Sequence, residues 1–153
     1  MSHGDCSLVR LSAGITGAVV LTAIHETVRE ILPDDAPRMD VVGARGITKI
    51  IRLLGGAVPP ESDLHRVTLY GDIISNAWYY SHVGSGRGAR RRGFLLGLAA
   101  GLGALYLPQR IGLGEPPHAD NPRTQWLTVL YYLTGGLVAG AVAHATTSTE
   151  TNE

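Results

Sequence analysis

Two runs, residues 93–109 (GFLLGLAAGLGALYLPQ) and 124–143 (TQWLTVLYYLTGGLVAGAVA), contain no Asp, Glu, Lys, Arg or His. At 1.5 Å rise per residue, each approaches the roughly 20 residues that cross the hydrocarbon core of a bilayer as a helix. Few folds accommodate such runs, and the reading they impose is an all-α, integral membrane helical bundle. We expect about four transmembrane helices (8–32, 62–83, 93–107 and 126–144) and a short amphipathic interfacial helix at 41–54. All of these belong to a single membrane-embedded domain, 1–153.

Composition narrows the partners. Thirteen basic residues against thirteen acidic ones leave no net charge, so the electrostatic case for nucleic-acid binding is missing. A mean hydropathy of +0.10 is low for a polytopic membrane protein, which places residues 26–67 and the tails in water or at the interface. The single cysteine, Cys6, excludes an intrachain disulfide framework. Residues 11–24 have the size of a signal-peptide core, but helical character continues through His25 to Leu32 and favours a retained helix. Pro33 stops it.

The segment 41–54 places Arg45, Lys49 and Arg52 on one face, with Ile47, Ile50, Ile51 and Leu54 over the rest. Such a basic amphipathic helix suits a membrane interface, its cations near lipid phosphates; the alternative is an ordinary helix packed on the protein. The span 62–83, capped by Ser62 or Asp63, carries Asp72, Asn76 and His82, each expensive in lipid. Asp72 and Asn76 lie one turn apart, and Tyr79 and Tyr80 continue close to their stripe, which should therefore face inward.

Gly93, Gly97 and Gly101 repeat every four residues along the third span, and Gly136 and Gly140 repeat the device in the fourth. Small residues at this spacing allow backbones to approach closely, which drives helix association in lipid. Pairing within one chain and pairing between chains are both open at this point. Arg87, Arg90, Arg91 and Arg92 in the short connector 84–92 place it, and with four spans both termini, in the cytoplasm. The longer segment between the first two spans carries Arg29, Arg38, Arg45, Lys49, Arg52 and Arg66 to the other side, a conflict moderated by its length and its seven acids.

His25-Glu26 begins the zinc-protease pattern H-E-x-x-H, but position 29 is Arg, not the second histidine. His25, Glu26, Arg29, Asp72 and Asn76 nevertheless form a candidate polar intramembrane site, with Asp63 or His65 within reach. His25, Glu26 and Asp72 are also weak candidates for a metal site, and Arg29 or His25 is the expected partner of Asp72. His82 and His144 reach similar depth at the other side, as interfacial residues or, less simply, as haem ligands. No cofactor is expected, and no phosphate loop, nucleophile elbow or paired-cysteine motif occurs.

The leading reading is a small, non-enzymatic membrane protein acting by helix association, as a homo-oligomer or with another membrane protein. Two others stand beside it. One is a membrane-embedded enzyme or metal site built on His25, Glu26 and Asp72, and the other is an oligomeric transporter or channel lined by Asp72 and Asn76.

Overall fold

The computed structural model describes residues 3–150, with side chains from residue 6 to residue 147. Five helices occur in it and, among the described residues, no strand: α1 (His3–Ile31), α2 (Met39–Leu53), α3 (Glu61–Ser81), α4 (Ala89–Arg110) and α5 (Pro122–Glu150). Four long helices form the bundle, with α4 against α5, and α1 against both α3 and α5. The short α2 packs mainly on α3. By length and apolarity alone, α1 and α5 are the two helices fit to cross a membrane.

Several boundaries differ from expectation for local reasons. α3 begins at Glu61 with Pro60 as its N-cap and no side-chain cap, so Ser62 and Asp63 lie inside the first turn. There Glu61 and Asp63 act instead on the positive end of the helix dipole. Helix α4 starts at Ala89 and continues past Pro108 to Arg110; the missing proline donor removes a single rung, and Ile111 N–H still reaches the Leu107 carbonyl. Helix α5 begins four residues before Trp126, because Asn121 accepts the Arg123 N–H at its side chain and Pro122 occupies the first turn, where a missing donor is harmless.

The arginine connector is shorter than expected, since Arg90, Arg91 and Arg92 belong to the first turns of α4. Arg92 folds back, its Nε donating to the Val83 carbonyl at 2.5 Å and its Nη2 to that of Ser85 at 2.7 Å. It thereby closes the α3–α4 turn, while Arg87, Arg90 and Arg91 stay exposed.

The interior is built from small residues. Ala13, Ala18, Ala89, Ala139 and Ala143 are fully buried, whereas Ile15, Val19, Ile74, Trp78, Phe94 and Trp126 point outward. A water-soluble bundle places its largest apolar side chains inside; here the bulk faces out and backbones meet within. A β-carbon on Gly97 would lie 2.7 Å from the Tyr132 carbonyl oxygen and 2.8 Å from the Leu133 Cα, and one on Gly101 2.8 Å from the Val129 Cα. Gly93 meets the Gly136 carbonyl, and Gly140 the Ala89 carbonyl. The two glycine faces thus meet inside one chain. Helix α1 uses the same device, unanticipated from the sequence: Gly14 abuts Ala77 and Ser81 of α3, and Gly17 abuts Gly135 and Ala139 of α5.

Three cross-contacts set the ends of the bundle. Cys6 bonds Ser85, Arg10 donates to the Ser81 carbonyl, and Gly86 N–H donates to Thr147. The start of α1, the α3–α4 turn and the end of α5 therefore share one end, and α2 sits at the other.

At that far end Asp35 ties the α1–α2 turn to α5. Its carboxylate accepts from Asn121 Nδ2 at 2.9 Å and from Arg123 at 3.3 Å, while its carbonyl accepts from Thr124 Oγ1 at 2.9 Å. The Asn121 bond, opposed by desolvation and helped by Arg123, holds this carboxyl below its usual range. A depressed acid contributes stability that is fully present above its unfolded value of about 3.9 and is lost as pH falls through the folded one. Asp35→Asn is therefore expected to melt below wild type at neutral pH in detergent, with the two converging once carboxylates protonate. A constant gap across that acid range would refute the linkage.

Candidate polar site at the α1–α2–α3 crossing

Where α1 ends, α2 crosses and α3 begins its descent, the chain leaves a cleft of about 20 Å³, room for about one water. Thr22, His25 and Glu26 line it from α1, Met39 and Asp40 from α2, and His65, Thr68 and Asp72 from α3. Of the residues singled out by sequence, His25, Glu26, Asp72 and His65 are brought together, Asn76 lies one turn below and Asp63 is not in the lining. Asp40 was missed as a member of the site. In the sequence it is one acid among several in a polar stretch; only the turn through Pro37 carries it back over α1.

His25 is buried although it sits near a helix end. Its Nε2 lies 2.6 Å from the Pro37 carbonyl oxygen, which can only accept, so Nε2 carries the proton and Nδ1 of the neutral ring is the free acceptor. The ring also faces that of Tyr131 at 6.1 Å. A second small void, about 10 Å³, is lined by His25, Asp72, Tyr131 and Tyr132 among others. Tyr131 Oη and Thr22 Oγ1 are buried here without partners, which marks the surroundings of His25 as short of hydrogen bonds.

The charges sort themselves into pairs. Arg29 bonds Glu26 at 2.5 Å and lies 3.8 Å from Asp40, and Arg38 grips Asp40 with two bonds of 3.0 Å. Desolvation pushes the Asp40 acid up, but the Arg38 bonds, with the charges of Arg38 and Arg29, prevail and hold it below the ordinary carboxylate range. Arg29 is thus engaged by Glu26 and Asp40. Asn76 donates to the Asp72 Oδ1 at 3.0 Å. Of the two expected partners of Asp72, His25 lines the same cleft, Arg29 does not, and neither is bonded to it.

Below the cleft the polar stripe is satisfied internally. Tyr79 donates to the Leu96 carbonyl at 3.1 Å and Tyr80 to that of Tyr132 at 2.7 Å, so these side chains tie helices together. Among the described residues no three His, Cys, Asp or Glu side chains are grouped to hold a metal ion; Glu26 and Asp40 are turned to arginines instead. His82 projects outward, bonded to the Trp78 carbonyl and packed on the Trp78 ring at 4.7 Å.

The fold and site together define, among the described residues, a small five-helix bundle with a glycine-packed interior and a cleft lined by both an acid, Asp72, and a buried imidazole, His25. No family model, curated protein or solved structure matches the chain.

Proposed function

We propose that this chain is a multi-pass integral membrane protein whose working part is the His25–Asp72 pair, an acid and a base placed to exchange a proton at one end of the bundle. One observation carries the reading. Asp72 is the carboxylate of the cleft that no arginine neutralises, and it lines that cleft together with an imidazole whose Nε2 is committed to Pro37, leaving Nδ1 as the acceptor. A carboxylate placed thus inside an apolar bundle is costly unless it serves a purpose.

Chemically, the proton would pass between an Asp72 carboxyl oxygen and His25 Nδ1 over the one water that the cleft admits. His65, Glu26 and Asp40 lie at the rim and connect the pair to solvent. Membrane residence is supported by the outward apolar side chains and by two helices of spanning length. The common end of both termini and the arginine turn agrees with four spans and with that end in the cytoplasm. The alternative of association through glycine finds those faces already occupied within the chain, so any oligomer or accessory-subunit role would have to use the outward surfaces.

The test is proton flux in proteoliposomes loaded with a pH-sensitive dye. Wild type should dissipate an imposed pH gradient faster than empty vesicles, Asp72→Asn should fall to the empty-vesicle rate, and Arg66→Gln, on the exposed flank of α3, should retain flux. Wild-type protein that reconstitutes yet gives no flux, or an Asp72→Asn variant as fast as wild type, would sink the proposal.

A further inference from the structure

A second polar feature lies outside that site. Helix α2 and the α4–α5 connector enclose an open groove of about 460 Å³, lined by Arg45, Thr48, Lys49, Arg52, Leu53, Gly112 and Leu113, within the size range of sites for small molecules. Two of its three cations are held in place. Arg45 donates to the carbonyls of Leu113 at 3.2 Å and Glu115 at 2.8 Å, and Lys49 to that of Ile111 at 2.7 Å. Gly112 and Gly114, both at positive φ (75° and 77°), turn those carbonyls toward α2. Arg52 lies exposed with no partner among the described residues. Neither acid of the connector, Glu115 or Asp120, lines the groove, and Glu115 turns its carboxylate to Gln109 at 3.4 Å.

Apolar residues border the cations. Ile50 and Leu53 on α2 and Leu54 at its C-cap are 58, 77 and 82 % exposed, and Leu107 and Ile111 at the end of α4 are exposed as well. Three cations, two of them anchored, beside bare aliphatic side chains, at the end of a bundle whose long helices also face outward with apolar bulk, match a molecule carrying both an anionic phosphate and acyl chains.

We infer that this groove binds the phosphate of an anionic phospholipid, with α2 lying in the headgroup layer, Arg45 and Lys49 holding the site open against the connector and Arg52 making the mobile contact. The inference rests on membrane residence, one part of the proposed function, and is independent of the proton pair.

The experiment uses the full chain, first floated with vesicles of phosphatidylcholine alone and with phosphatidylglycerol added, then delipidated in mixed micelles of the two, retained lipid being counted by native mass spectrometry. Wild type should float with both vesicles and keep phosphatidylglycerol preferentially. Arg52→Gln should weaken that preference roughly fivefold, the usual effect of one cation near an anionic headgroup, with its melting curve unchanged because Arg45 and Lys49 still brace the connector. Arg66→Gln, outside the groove, should keep the full preference. Equal retention of the two lipids, an unchanged Arg52→Gln, or the same loss in Arg66→Gln would overturn the inference, as would displacement of phosphatidylglycerol by equimolar inorganic phosphate, which would make the occupant a free anion. Failure to float with either vesicle would overturn membrane residence itself, a separate result.

Discussion

Gly136→Leu is expected to abolish recovery of folded, monodisperse protein, while Gly103→Ala leaves it intact or slightly more stable. At Gly136 even a β-carbon would run into the Gly93 carbonyl and sit 2.8 Å from the Gly97 Cα. Both obstacles are backbone, so no rotamer change relieves them. The α4–α5 seam would have to part along its length, and the loss would exceed the roughly 1–3 kcal/mol typical of core overpacking. At Gly103 the nearest obstacle is Leu107 Cδ1 at 3.7 Å, ordinary contact, and alanine gains up to about 1 kcal/mol of helix propensity. Size-exclusion chromatography and thermal melting in detergent report both. If Gly136→Leu instead gives a folded monomer from a larger wild-type complex, the glycine faces work between chains. If it behaves as wild type, the seam itself is misassigned.

Tyr80→Ala should be the most damaging change away from the glycines. Tyr80 is fully buried, its ring lies against Gly17 of α1 and Gly135 of α5, and its hydroxyl donates to the Tyr132 carbonyl at 2.7 Å. It therefore joins three helices at a point where their backbones are otherwise in direct contact. Truncation removes an aromatic ring from a junction that cannot collapse further, with an expected cost of about 3–5 kcal/mol. Tyr80→Phe retains the ring and removes only the bond, about 1 kcal/mol, since the Tyr132 carbonyl keeps a helical partner. Chemical denaturation in mixed micelles should order the three proteins wild type, Phe, Ala; a Phe variant as weak as Ala would show that the hydroxyl, not packing, holds the junction.

Much of the architecture was legible in the chain because its signals are local. Pro33 and the 84–88 glycines end helices wherever the rest of the protein lies, and the apolar runs carry the length of helices. Asn121-Pro122 is an equally local signal, a cap followed by a proline suited to the first turn, and it places the start of α5 four residues before the expected 126. The glycine spacing was readable as a packing face, but the identity of its partner was not. A face shows that something approaches closely, and only the pairing of α4 with α5 shows that the partner is in the same chain.

The basic segment illustrates the same division. Its six cations conflicted with the positive-inside argument while they were counted as free charges. In the fold Arg29 and Arg38 are paired with Glu26 and Asp40, so the unpaired charge of that segment is smaller than its count of cations; Arg45 and Lys49, bonded to neutral carbonyls of the α4–α5 connector, keep theirs. The exposed arginines of the α3–α4 turn retain theirs, as does Arg92, which is bonded to a neutral carbonyl of the turn.

By itself, then, the sequence determined the helical class, the approximate elements, the glycine faces and the polar residues that had to turn inward, since each follows from periodicity, proline and the expense of charge in an apolar run. The tertiary structure alone decided which of those polar residues are neutralised. Glu26 and Arg29 are one helical turn apart and pair with each other, as do Asp72 and Asn76, whereas Asp72 and His25, which line one cleft, stand on different helices, 47 positions apart in the chain (25 to 72). His25 is oriented by a carbonyl presented only when the Pro37 turn folds back. Charge and hydrogen bonding act over a few ångströms of space, and in this bundle those ångströms are spanned by helices whose neighbours no local pattern specifies.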